Sequence, residues 1–262
     1  MPTQPKQNEE AAQWYNKGLK LIRLGKTNDA LECFNKATEI DPRLVEAWVN
    51  KGVALHGLSR IEEALKCYEK AIELNSNHAE AWCNKGVALY ESGRAEEALT
   101  CYQQATKLDP KFTMAWNNEG LALKHLGRFE EAIKCYDEAI RLDPKLAGAW
   151  VNKGATLGQL DRLEEAITCY DEAIKIAPDY LEAWYNRGAT LQDLGRFEDA
   201  IVCFKTVIRI NPRDADAWYS MGTTFEQLGI TQEATKCYDE ALNVDPVHDD
   251  AKKAKARILK KD

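Results

Sequence analysis

Residues 79–112 read AEAWCNKGVALYESGRAEEALTCYQQATKLDPKF, and close variants of this stretch fill most of the chain. Trp82 belongs to a series, Trp14, Trp48, Trp82, Trp116, Trp150, Trp184 and Trp218, spaced by 34 residues, and the chain has no other tryptophan. A strict period of this length marks one small supersecondary unit copied in tandem. The units span 11–44, 45–78, 79–112, 113–146, 147–180, 181–214 and 215–248. In such an array each unit contacts mainly its neighbours, and one core runs along the stack.

The unit reads as two helices. Position 4 is tryptophan, position 8 is always glycine (Gly18 to Gly222), and position 11 is leucine or Phe225. Spacings of four and three put these on one helix face. Alanine at position 20, Tyr or Phe at 24, and alanine (once Val207) at 27 do the same on a second helix. Glycine at position 15, replaced by Ser59 and Asp161 in two units, ends the first helix. Proline at position 32, replaced once by Ser76, follows the second and cannot continue it. Each unit is therefore an antiparallel helical hairpin. A glycine inside a helix costs roughly 1 kcal/mol relative to alanine. Seven of them facing small alanines predict close helix approach, with tryptophan and the position-24 aromatic filling the space beside it.

This pattern resembles the tetratricopeptide repeat over seven copies, from Ala11 to His248. The resemblance implies an all-α fold, a right-handed superhelical α-solenoid of antiparallel helix pairs. One departure is position 7, usually leucine in the family and here Lys17, Lys51, Lys85, Lys153 and Arg187, with Glu119 and Met221 elsewhere. A long basic stem covers apolar surface while its head reaches water. Residues 1–10 are polar and read as a flexible tail, and 249–262 as a C-terminal capping helix with apolar Ala251, Ala254 and Ile258 on one face. The first unit has no equivalent cap, which leaves an edge open to self-association.

Bulk properties narrow the function. A formal charge of −7 argues against nucleic acid, which requires a basic stripe. No apolar run approaches the ~18 residues of a membrane helix, and no signal-peptide core opens the chain. The expected location is cytoplasmic. Seven of the eight cysteines share the 34-residue period. Neighbouring members should lie roughly 8–10 Å apart, too far for the ~7 Å limit of a disulfide. Cys83 is off that register and is the candidate reactive thiol. No zinc-type cysteine spacing, phosphate loop, dinucleotide fingerprint or nucleophile–base arrangement occurs. The paired acids Glu62–Glu63 and Glu130–Glu131 open second helices, where they suit the dipole. No catalytic residue, metal site or cofactor is expected, and the protein reads as a scaffold.

In tetratricopeptide arrays the first helices line a concave groove, and by resemblance positions 2, 5, 6, 9, 12 and 13 face it. Position 6 is Asn16, Asn50, Asn84, Asn118, Asn152 and Asn186, then Ser220. Each amide offers donors and an acceptor to a peptide backbone. The ladder is similar in this respect to the peptide-binding repeats of the O-linked N-acetylglucosamine transferases; it is equally suited to bonding neighbouring repeats. Tyr15, Val49, Tyr185 and Tyr219 at position 5, and Val53, Val87 and Leu121 at position 9, are further candidates, with core packing as the alternative. Glu46, Glu80 and Glu182 at position 2, together with Glu91, Asp193, Asp216 and Glu226, suggest an acidic groove that favours a basic or neutral extended segment of a partner protein; ordinary solvated charges would look the same. The basic clamp of the family's chaperone-tail binders is missing, since only its asparagine is matched. The second functional reading is a self-assembling structural protein using the uncapped edge.

Overall fold

The computed structural model describes residues 4–258 and is helical throughout, with no strand among them. The first helices of the seven units are α1 (Gln4–Arg23), α3 (Val45–Gly57), α5 (Ala79–Glu91), α7 (Thr113–His125), α9 (Ala147–Gln159), α11 (Leu181–Asp193) and α13 (Ala215–Gln227). The second helices are α2 (Thr27–Ile40), α4 (Ile61–Leu74), α6 (Ala95–Leu108), α8 (Phe129–Leu142), α10 (Leu163–Ile176), α12 (Phe197–Ile210) and α14 (Thr231–Val244), followed by α15 (Asp249–Ile258). Two compact units divide the chain, Met1–Cys135 and Tyr136–Asp262. In the first, α1, α3 and α5 each pack on their own second helix, and α3, α5 and α7 on the second helix before them; α3 also touches α5, and α5 touches α7. In the second, α9 to α15 repeat this arrangement, with α9 touching α11 and α11 touching α13.

The hairpin closes where the sequence places glycine opposite an aromatic. A Cβ built on Gly52 would stand 2.5 Å from Tyr68 Cε1, and one on Gly154 would stand 2.7 Å from Tyr170 Cε1. These aromatics, not the tryptophans, are the largest fully enclosed side chains: Tyr68 and Phe34 are 0% exposed. The break after the first helix is left-handed, with φ of 71° at Gly25 and 80° at Gly93. Ser59 and Asp161, which depart from glycine, adopt the same conformation at 59° and 58°. The turn is therefore set by the hairpin and imposed on whatever residue occupies it.

Two sequence expectations change. The tryptophans are half-buried, and their role is at the joint between repeats: the indole N–H of Trp48 donates to the Pro42 carbonyl at 3.0 Å, Trp82 to Ser76 at 2.9 Å and Trp150 to Pro144 at 3.1 Å. Residues 4–10, expected in a flexible tail, continue α1 as helix; Pro5 sits in the first turn, where its missing N–H costs nothing, and no glycine or second proline interrupts the start of the run. Residues 1–3 of that expected tail lie outside the described residues. Helix α15 forms over Asp249–Ile258 and buries Ala251, Ala254 and Ile258, while residues 259–262 of the expected capping helix are outside the described range.

The basic residues at position 7 do more than shield the core. Lys85 pairs with Glu69 at 3.0 Å, Lys153 with Asp137 at 2.6 Å and Arg187 with Asp171 at 2.7 Å, each reaching the second helix of the preceding repeat. Glu119 breaks the series and is buried. The Thr106 hydroxyl donates to it at 3.0 Å, yet burial, the largest influence, raises its pKa.

Candidate functional site

The first-helix face of each unit is tied together by a diagonal set of side-chain contacts. Asn50 Nδ2 donates to Tyr15 Oη at 3.3 Å, His56 Nε2 meets Glu91 Oε2 at 2.7 Å, Asn118 Nδ2 lies 3.9 Å from Cys83 Sγ, and Tyr185 Oη meets Ser220 Oγ at 3.1 Å. All four pairs are 35 residues apart, one more than the sequence period. Each position thus meets the next position of the following repeat. The asparagine ladder divides accordingly. Asn50 is spent on Tyr15 and the Glu46 carbonyl. Asn118 reaches a sulfur, a weak acceptor. Asn84 and Asn186 are half-buried and their side chains make no hydrogen bond to the described residues. Asn16 is exposed and Asn152 half-buried.

An open cleft of about 550 Å³ surrounds Asn84. Glu80 and Asp109 stand at it, with Cys83, Val87, Phe112, Met114 and Asn118 supplying the rest of its wall. Met114 is 48% exposed, an unusual degree for a large apolar side chain. Sequence reasoning passed over Phe112, Met114 and Asp109, because they belong to the connection and the start of the next first helix. The available signal was that Met114 alone breaks the acidic and small character of position 2. Glu46 and Glu80 both raise the pKa of the Tyr15 hydroxyl, after the larger effect of its burial, so an acidic field extends along this face. In the second unit a smaller cleft of about 300 Å³ is lined by Leu181, Glu182, Tyr185, Asp214 and Asp216.

Other candidates are placed differently. Val49 is 2% exposed and packs with Ala71 and Ala81, so it belongs to the core; its neighbour in the helix, Trp48, holds the joint and turns it inward. Val53, four residues on, is 39% exposed, while Val87, Leu121 and Tyr219 are half-buried. Glu226 and Asp216 are engaged, the first with Arg257 at 2.7 Å and the second with His248 at 3.2 Å. Cys83 is not a reactive thiol in waiting: it is 4% exposed, and burial pushes its pKa up to about 11. All eight cysteines are buried and free. The paired acids at second-helix starts are structural. Glu63 accepts two bonds from the Arg60 guanidinium at 2.7 Å each, and Glu97 does the same with Arg94, which lowers both carboxyl pKa values. Among the described residues no group of His, Cys, Asp and Glu converges as a metal site would, and no helix is long and apolar enough to cross a membrane.

Models of the tetratricopeptide repeat match residues 11–44, 45–78 and 181–214, and related models of the same repeat match 83–147, 135–168, 159–195 and 203–236. The chain belongs to the tetratricopeptide repeat family. Its helix pairs are those of the family's solenoids. A comparison with curated proteins gives no significant match. Among solved structures, YrrB, described as a TPR protein with an unusual peptide-binding site, is 26% identical with a TM-score of 0.61, over 73% of this chain and 99% of that one. MamA is 25% identical with a TM-score of 0.58, over 62% and 94% of the two chains. PilF of Pseudomonas aeruginosa shares the fold, at 22% identity and a TM-score of 0.70 over 79% and 94%. This is a tetratricopeptide scaffold fold, and one of its solved relatives, YrrB, is described as having a peptide-binding site.

Proposed function

We propose that the protein is a non-catalytic scaffold that holds an extended, basic or neutral segment of a partner protein on its first-helix face. The observation that carries this reading is Asn84. Its half-buried amide makes no bond to the described residues and stands in an open cleft beside apolar Val87, Phe112 and Met114 and the exposed acids Glu80 and Asp109. An amide so placed matches a backbone N–H and C=O whatever side chains the segment carries. The acids favour lysine or arginine next to an apolar residue. A rigid face lowers the ordering cost on the scaffold's side. The likeness to YrrB, described as having a peptide-binding site, supports the same reading. Eight free, buried thiols fit a reducing, cytoplasmic setting.

The test is selection from a random peptide display library, followed by fluorescence anisotropy of the enriched peptides. Peptides with an apolar residue beside Lys or Arg are expected. Asn84→Ala with Glu80→Lys should weaken them about tenfold or more, since a backbone hydrogen bond and one charge contact each contribute about 1 kcal/mol. Peptides that bind the folded double variant as tightly as the parent would remove this cleft from the function.

A further inference from the structure

The interior joints of the array draw on up to three contacts. The tryptophan N–H donates to the turn carbonyl before it, as Trp116 does to Pro110 at 3.0 Å and Trp184 to Pro178 at 2.8 Å. At three of the joints the basic residue at position 7 meets a carboxylate on the preceding second helix, as Arg187 meets Asp171, while Lys51 lies over the Trp48 ring at 4.9 Å. The leucine at position 11 is sealed against that helix: Leu191 packs with Ile167 of α10 and is 0% exposed, and Leu55, Leu89 and Leu123 are 2% exposed.

On α1 all three groups are present and all three lack the other half. This helix runs straight from Gln4 through the stretch where later repeats have their turn, so no turn carbonyl comes before Trp14 among the described residues. Trp14 Nε1 makes no hydrogen bond there. Lys17 has no carboxylate partner among the described residues, and its ammonium rests over the Trp14 ring at 4.8 Å, as Lys51 rests over Trp48, so the open tryptophan N–H and Leu21 mark this edge more strongly than the lysine does. Leu21 is only half-buried, unlike its sealed equivalents.

The matching half exists at the other end of the sequence. Helix α14 carries Asp239, and the turn after it offers the Pro246 carbonyl. In its own chain α15 covers this surface incompletely. Lys255 pairs with Asp239, but Lys252 stands where a tryptophan would donate to Pro246, and the residues α15 buries are mostly small: Ala251, Ala254 and Ile258.

We propose that α1 docks on α14 of a second copy of this chain, in the place α15 holds within one molecule. Trp14 Nε1 then donates to the second copy's Pro246 carbonyl, Lys17 replaces Lys255 on Asp239, and Leu21 covers the Leu242 side of α14. The contact is heterologous, α1 of one molecule on α14 of the next. It competes with α15 and meets Thr235 where other second helices have Leu or Ile, so it is weaker than an interior joint and concentration-dependent. This inference stands apart from the peptide-binding proposal, which uses a different face.

Charge exchange in the full-length chain tests it by sedimentation velocity over a wide concentration range, each variant first checked for helicity. The parent is expected to associate at high concentration. Lys17→Glu places two acids together and should need about tenfold more protein to associate, whereas Asp239→Lys places two bases together but also repels its competitor Lys255, so its loss should be smaller. The double variant, K17E with D239K, restores opposite charges across the contact with their signs exchanged and leaves Lys255 repelled, so it should associate at least as well as the parent. A double variant no better than the singles, equal association by all four proteins, or four monomers would each overturn the proposal.

Discussion

Two glycines of the same helix, Gly52 and Gly57 of α3, should respond to alanine with opposite signs. A Cβ at Gly52 would stand 2.5, 2.8 and 2.9 Å from three ring atoms of Tyr68, and that ring is 0% exposed and has nowhere to move. Overpacking of this kind costs about 1–3 kcal/mol. Removing a glycine from a helix returns up to about 1 kcal/mol. The net expectation for Gly52→Ala is a loss of about 1 kcal/mol. At Gly57 a Cβ would meet nothing within 4 Å, so Gly57→Ala keeps only the gain, about 0.4–1 kcal/mol. The two variants should thus differ by about 1.5–2 kcal/mol. Urea unfolding followed by far-UV circular dichroism measures this, with parent and variants compared by midpoint at a common slope, since repeat arrays need not unfold in two states. If Gly52→Ala matched Gly57→Ala in stability, close approach would not be the reason for glycine at position 8. A double variant with Tyr68→Leu should recover part of the loss, because the contact itself is then gone.

Tyr68 also carries a buried hydroxyl with no hydrogen-bond partner, and Phe34 and Phe204 hold the same position in other repeats; Tyr68→Phe should therefore raise stability by about 1 kcal/mol, and a measured loss of that size would refute it. Trp150→Phe removes the N–H that reaches the Pro144 carbonyl and should cost about 0.5–1 kcal/mol in the same unfolding assay. Burial raises the pKa of Glu119 above its ordinary 4.5. Its neutral form is the one the fold prefers, so its contribution is complete below the unfolded pKa and is lost as pH rises through the folded value. The stability of the parent relative to Glu119→Gln should fall from pH 4 toward neutrality, and a gap that widened with pH would reverse the assignment. With Cys83, Cys101 and Cys169 pushed up to about 11 and Cys237 to about 12, a disulfide-exchange reagent at pH 8 should label the native thiols slowly and all eight at once on unfolding; fast stoichiometric labelling of Cys83 in the native protein would contradict its burial.

The hairpins were legible because they rest on local rules that repeat. Glycine opposite an aromatic, a left-handed break and a proline after the second helix each leave a mark at a fixed position. Ser59 and Asp161 show the limit of that reading, since the break persists where its residue does not. The roles of the tryptophans and asparagines were not legible in the same way. Both depend on how one repeat lies on the next, and that offset shows itself as pairs 35 residues apart, which a 34-residue period does not reveal. The same offset buries Val49, opens Val53, and brings Phe112 and Met114 around Asn84.

The location of the bound segment is the claim on which the functional account rests, and photo-crosslinking reads it directly. A benzophenone amino acid in place of Val53, exposed on the first-helix face, should capture a library-selected peptide. The same group in place of Lys107, exposed on α6, should capture none. Crosslinking from position 107 with silence at 53 would contradict the account.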